Sequence, residues 1–204
     1  MRGGAARHPL PVAQRPNITL AVKRLVRDAA RRLPELAHVR PSRVLVVAGE
    51  ARRASRASIR GLLSGPARPQ VALAGRRILY VVTLRPLWFR DSTPAERVAT
   101  VLHELYHAST RFDGSLHRHR RHAELEPAAY GRRVGGLLRR YLASAPAALL
   151  APFAHRGTAR ARMWLERPTA RVPRGGRRLF TEKQLFPGLV EMRTPPERGP
   201  APAP

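Results

Sequence analysis

Val98, Val101, Leu102 and Leu105 fall at i, i+3, i+4 and i+7, the spacing of one face of an α-helix. The residues ahead of them say where that helix begins. Thr93 offers a capping hydroxyl, Pro94 suits the first helical position, and Glu96 at the third completes a capping box. A second helix opens behind Asn17, with Leu20, Leu25, Ala29 and Leu33 near helical spacing and basic residues between them; Pro34 kinks or ends it. A third is expected over residues 123–142, carrying Leu125, Val134, Leu137, Leu138, Tyr141 and Leu142. Val44-Leu45-Val46-Val47-Ala48 is short, apolar and rich in β-branched residues, which reads as a buried strand. Residues 76–84 read as one further strand centred on Ile78 to Val82, introduced by a turn at Gly75. Residues 50–65, dominated by Arg and Ser, leave helix and strand open, and residues 86–90 read as a loop bearing Trp88 and Phe89. Strands and helices in this order predict an α+β fold, a small mixed sheet packed on helices.

The flanks differ in character. Residues 1–16 are a Pro- and Arg-rich lead, expected to be disordered. Residues 17–143 hold the folded domain, and residues 144–204 form a basic, Pro/Arg-rich C-terminal extension that is partly ordered. Within it, 163–165 and 185–192 are the segments expected to pack on the domain, with 195–204 a loose tail. Charge adds a candidate partner. The 204 residues carry 39 Lys and Arg against 13 Asp and Glu, a formal net charge of +26. Such a chain attracts phosphate backbones, so non-specific nucleic-acid binding is one expectation. The basic residues run along the whole chain, which an Arg-, Ala- and Pro-rich composition produces by itself. With no cysteine, disulfides, thiolate metal sites and iron–sulfur clusters are excluded. No stretch is apolar for the length a membrane helix needs, and the lead lacks the core of a secretory signal, so a soluble, cytoplasmic protein without a membrane partner is expected.

The helix behind Thr93 also carries chemistry. His103 and His107 lie one helical turn apart and share a side, so both imidazoles can direct a nitrogen at one metal ion. Glu104, next to the first, projects to where a water would sit. Zinc held this way lowers the pKa of its water toward about 7, and the glutamate takes the proton as general base. This is the His-Glu-x-x-His logic of zinc hydrolases. A catalytic zinc needs a third protein ligand, and the residues alone leave Asp113, His117, His119 and His122 open. Asp113, six residues after His107, stands where the metzincin pattern has its third ligand, but Thr110 occupies the place of that pattern's glycine, and Asp-Gly is a turn dipeptide. Arg118, Arg121 and Tyr130 are candidates to stabilise an oxyanion, though solvation for the arginines and helix packing for the tyrosine are the default roles. Tyr106 turns away from the metal side of the helix and is expected to pack; Trp88 and Phe89 either line a substrate groove or pack under their loop. An extended peptide could pair with the edge of the strand at 78–83.

The strand at 78–83, the capped helix, and His103-Glu104-Leu105-Tyr106-His107 followed by Phe112-Asp113-Gly114-Ser115-Leu116-His117-Arg118-His119 resemble a metallopeptidase family of prokaryotes and phages. Its members resemble a minimal zincin, distantly similar to the SprT and Spartan proteases. The resemblance spans residues 17–122 and is strongest over 76–122. It implies a zincin-like fold, a Zn2+ cofactor and a protein or peptide substrate. It also implies His119 as third ligand, because in that family an aromatic, a Gly-containing turn, a basic residue and then His follow the motif helix. The chain departs in having His117 where members often carry Arg, and, without cysteine, it cannot build the separate zinc ribbon of Spartan-like relatives.

Overall fold

A computed structural model describes residues 15–50, 55–65, 68–120, 127–164, 171–174, 176, 178–185 and 188–194. Its elements run in the order α1 (Ile18–Arg32), β1 (Val44–Ala48), β2 (Ala57–Gly61), β3 (Gln70–Leu73), β4 (Arg76–Ile78), β5 (Tyr80–Leu84), α2 (Pro86–Arg90), α3 (Pro94–Tyr106), α4 (Pro127–Ser144), α5 (Ala147–Ala154), β6 (Thr158–Arg162), β7 (Leu179–Phe180), α6 (Glu182–Leu185) and β8 (Leu189–Arg193). The fold is α+β, with small sheets and helices.

The central sheet has the order β1-β5-β2, with β1 parallel and β2 antiparallel to β5. All five residues of β1 are buried because the sheet is covered on both faces. Val44, Val46 and Ala48 join Tyr80, Val82 and Leu84 of β5 under the helices. Leu45 and Val47 point the other way, to a smaller core with Val71, Ile78, Val81 and Phe180. Helix α1 lies on the first face. Asn17 caps it, its side chain accepting from the Leu20 N–H at 3.0 Å, and the helix ends at Leu33 before a 3₁₀ turn at Pro34–Leu36. Residues after 143 belong to the same main core: Phe153 of α5 is fully buried, and Ala159, Ala161 and Met192 of the paired strands β6 and β8 join it.

Three expectations from the sequence change. The strand expected over 76–84 is two strands in different sheets. It breaks at Leu79, whose N–H donates to the Arg43 carbonyl and whose carbonyl accepts from Leu62. The Arg- and Ser-rich segment contains β2, so β5 is a central strand and has no free edge for a peptide; the outer strands are β1 and β2. Residues 86–90 form a short helix rather than a loop, and Trp88 and Phe89 are fully buried, so they line no groove. The Trp88 indole N–H donates to the Arg97 carbonyl at 3.0 Å, its ring meets Phe153 edge-on, and the Arg97 guanidinium lies 4.2 Å over Phe89. That guanidinium also donates to the Phe153, His155 and Phe89 carbonyls, tying α3 to the end of α5. The third helix is α4; its Val134, Leu137 and Tyr141 are buried as the periodicity requires, while residues 121–126, Leu125 included, lie outside the described residues, as do 1–14 and 195–204.

Candidate metal centre

Helix α3 positions the motif. Its capping box is complete: Thr93 accepts from the Glu96 N–H at 3.2 Å, and Glu96 accepts from the Thr93 N–H at 2.8 Å. Val98, Val101, Leu102 and Leu105 are buried and fix the helix's rotation. His103 and Glu104 are then presented toward β2 and α4, and His107 forms the C-cap. The two imidazoles approach Nε2 to Nε2 at 3.2 Å, with their ring planes at 82°. Zinc holds imidazole nitrogens at about 2.0–2.1 Å, and two such ligands at the tetrahedral angle stand about 3.3–3.4 Å apart. The observed separation fits that chelation.

The chain beyond α3 supports the second histidine. Residues 108–117 turn back on the helix end: Ala108 bridges Leu116, Ser109 N–H donates to the Ser115 carbonyl, and His117 N–H donates to the His107 carbonyl at 2.8 Å. A 3₁₀ turn at Arg118–Arg120 follows. There the Arg120 carbonyl lies 2.6 Å from His107 Nδ1. Only a protonated Nδ1 can face a carbonyl at that distance, which leaves the Nε2 lone pair directed at His103. Arg120 also lays its guanidinium 4.1 Å over the Tyr106 ring and donates to the Tyr106 carbonyl. Tyr106 is buried packing, as expected.

A close backbone contact seats this return loop. A Cβ on Gly61, the last residue of β2, would lie 1.8 Å from the Gly114 carbonyl oxygen; Gly114 itself has φ +90°. Buried Tyr80 fastens the loop from below: its hydroxyl donates to the Ser115 carbonyl at 2.7 Å and accepts from the Gly114 N–H, while its ring lies tilted against Phe112 with centroids 4.7 Å apart.

Glu104 is only 8 % exposed. Burial pushes its carboxyl up to about 7, opposed by a hydrogen bond from the Ile59 backbone N–H on β2 and by the Arg85 charge. A carboxylate poised near neutrality can both accept and return a proton. Beside it a cleft of about 420 Å³ is lined by Ser55, Arg56 and Ala57, by Glu96, Ala99, Thr100, His103 and Glu104, and by Val134.

The third-ligand candidates part ways here. Asp113 is exposed, its carboxylate accepting from the Ser115 N–H and hydroxyl at 2.9 and 2.6 Å, which makes it the turn residue that Asp-Gly suggests. His117 is half-buried at the start of the 3₁₀ turn. The backbone of His119 lies within that turn, but its side chain is outside the described residues, as are all of Arg121 and His122 and the side chain of Tyr130. Among the described residues, no three His, Asp or Glu side chains converge on one point. Sequence reasoning missed Ile59, Gly61, Tyr80 and Arg120. The alternation of Ala57, Ile59 and Gly61 with Ser58 and Arg60 was the one signal for β2.

Fold and site together define a class: an α+β protein in which a helix opened by a capping box carries two imidazoles at the spacing of metal ligands, with a buried carboxylate between them in sequence. Residues 15–131, more than half of the chain, match the family described as "Putative phage metallopeptidase", and the chain belongs to that family. No curated protein and no solved structure matches it.

Proposed function

We propose that this protein is a zinc-dependent peptidase of zincin-like architecture, with His103 and His107 as ligands, His119 as the third, and Glu104 as general base. One observation carries the reading: the paired Nε2 atoms, 3.2 Å apart and aimed by the Arg120 carbonyl, stand next to a buried carboxyl raised to about 7. His119 rests on the resemblance and on its backbone lying in the turn that supplies that carbonyl. When bound, zinc supplies a Lewis acid that polarises the scissile carbonyl and acidifies water. Glu104 takes the proton of the attacking water and passes it to the leaving amine. Strand β2, the outer strand beside α3, pairs with β5 alone among the described residues, so its other edge faces an extended substrate, and its Ile59 N–H faces Glu104.

The test is hydrolysis of an unstructured protein such as casein by the zinc-reconstituted chain. Cleavage that a chelator stops and zinc restores is expected. Cleavage indifferent to chelator, or none under any metal condition, refutes the reading. Among the described residues no helix is long and apolar enough to cross a membrane. Exposed arginines occur on α1 (Arg24, Arg27, Arg31), α4 (Arg132, Arg133, Arg139) and β8 (Arg193), so the excess charge is spread over several elements.

A further inference from the structure

The cleft beside Glu104 has a direction. Glu96, Ala99, Thr100 and His103 sit at i, i+3, i+4 and i+7 on α3, so they form one straight floor. Seven residues of helix rise about 10 Å, the length of about three residues of extended peptide. Ala99, Thr100 and Ala57 are small and leave that path open. At its far end Arg56 reaches across from the start of β2, one Nη donating to Glu96 at 3.1 Å. The two partners are not equally committed. Glu96 has one oxygen on Arg56 and the other on the Thr93 N–H, so both are engaged. A guanidinium has five donors, and among the described residues Glu96 accepts one of them; Arg56 remains 42 % exposed. Asp91, a further described carboxylate within its electrostatic reach, is held by Arg90. The backbone under Arg56 is fixed as well. Buried Arg85 takes the Arg56 carbonyl with its N–H at 2.9 Å and donates to Ser55 and to the Glu50 carbonyl.

We propose that Arg56 is a specificity-determining residue that selects a carboxylate about three residues from the bond to be cut. The inference rests on the peptidase reading above. Glu96 acts as the bracket that aims the fork, and the remaining N–H groups donate to the substrate carboxylate, which the strongly positive chain attracts. The carboxylate is an Asp or Glu side chain or a free C-terminus, which share this chemistry.

The experiment uses the zinc-loaded full chain and amidated octapeptides that differ only three positions to either side of the cleaved bond, carrying Glu, Gln or Lys. A further peptide ends there in a free carboxylate. Turnover is measured with the wild type, and binding by fluorescence anisotropy with Glu104→Gln. The Glu peptide is expected to exceed the Gln peptide by about fivefold or more in kcat/KM, mostly through KM. Arg56→Gln brings that ratio to about one, Arg56→Lys restores part of it, and Arg56→Glu turns the preference toward Lys. A free-carboxylate peptide preferred over the internal Glu assigns the site to chain ends. Equal turnover of Glu and Gln peptides by the wild type, or a preference that survives Arg56→Gln, overturns the proposal and leaves the peptidase intact. If nothing is cleaved but Glu104→Gln binding still discriminates through Arg56, the peptidase reading fails and carboxylate recognition stands. Neither cleavage nor discrimination overturns both.

Discussion

Glu104→Gln is expected to remove peptide hydrolysis, by a factor of about 10³ or more in kcat, without removing zinc. The substitution keeps the shape of the side chain and an oxygen to accept from Ile59, so the helix and the outer strand stay in register. What it removes is the capacity to take a proton. The imidazoles of His103 and His107 and the Arg120 carbonyl that aims the latter are untouched. The metal-free variant gains stability at neutral pH, because a buried carboxyl shifted upward from its ordinary 4.5 to about 7 opposes folding increasingly as pH rises through that interval. Single-turnover hydrolysis beside metal analysis checks the result. A variant that turns over at the parental rate removes Glu104 from the chemistry.

The second large effect is remote from the metal. Gly61→Ala is expected to destabilise the chain by about 3 kcal/mol or more, a fall of about 6–12 °C in Tm. Its methyl would sit 1.8 Å from the Gly114 carbonyl oxygen, a backbone atom that no rotamer change can move. The loop must lift by more than an ångström. That breaks the Tyr80 bonds to Gly114 and Ser115 and strands a buried hydroxyl. The same lift moves the Arg120 carbonyl that orients His107, so zinc affinity falls by about 10- to 100-fold. Thermal melting of the metal-free protein and a competition titration with a zinc chelator measure the two effects. An unchanged Tm shows that the loop does not rest on β2.

How legible the molecule was depended on which physics acted at each segment. Helix α3 was readable from local signals alone: the capping box and the 3.6-residue period coincide, and both are short-range. The same holds for α1 behind Asn17 and for β1, apolar because both its faces are covered. Strand β2 was not readable, since an outer strand with a single neighbour needs few apolar residues and only Ile59 among its five is a large one. The division of 76–84 escaped because Leu79 is as apolar as its neighbours; what breaks the strand is a distant carbonyl, that of Arg43. The same limit governed the site. His103, Glu104 and His107 come from one helix and announce themselves by spacing. The groups that orient and seat them, Ile59, Tyr80, Gly61 and the Arg120 carbonyl, arrive from other segments or act through backbone atoms, which carry no signature in side-chain identity.

The central claim is that this helix holds a catalytic zinc, and metal content tests it most directly. Purified protein reconstituted with zinc and freed of excess is analysed beside His103→Ala and Glu104→Gln. The account predicts about one zinc per chain in the parent and in Glu104→Gln, and its loss in His103→Ala. A parent protein that retains no zinc after reconstitution, or a His103→Ala variant that retains it in full, would contradict the account.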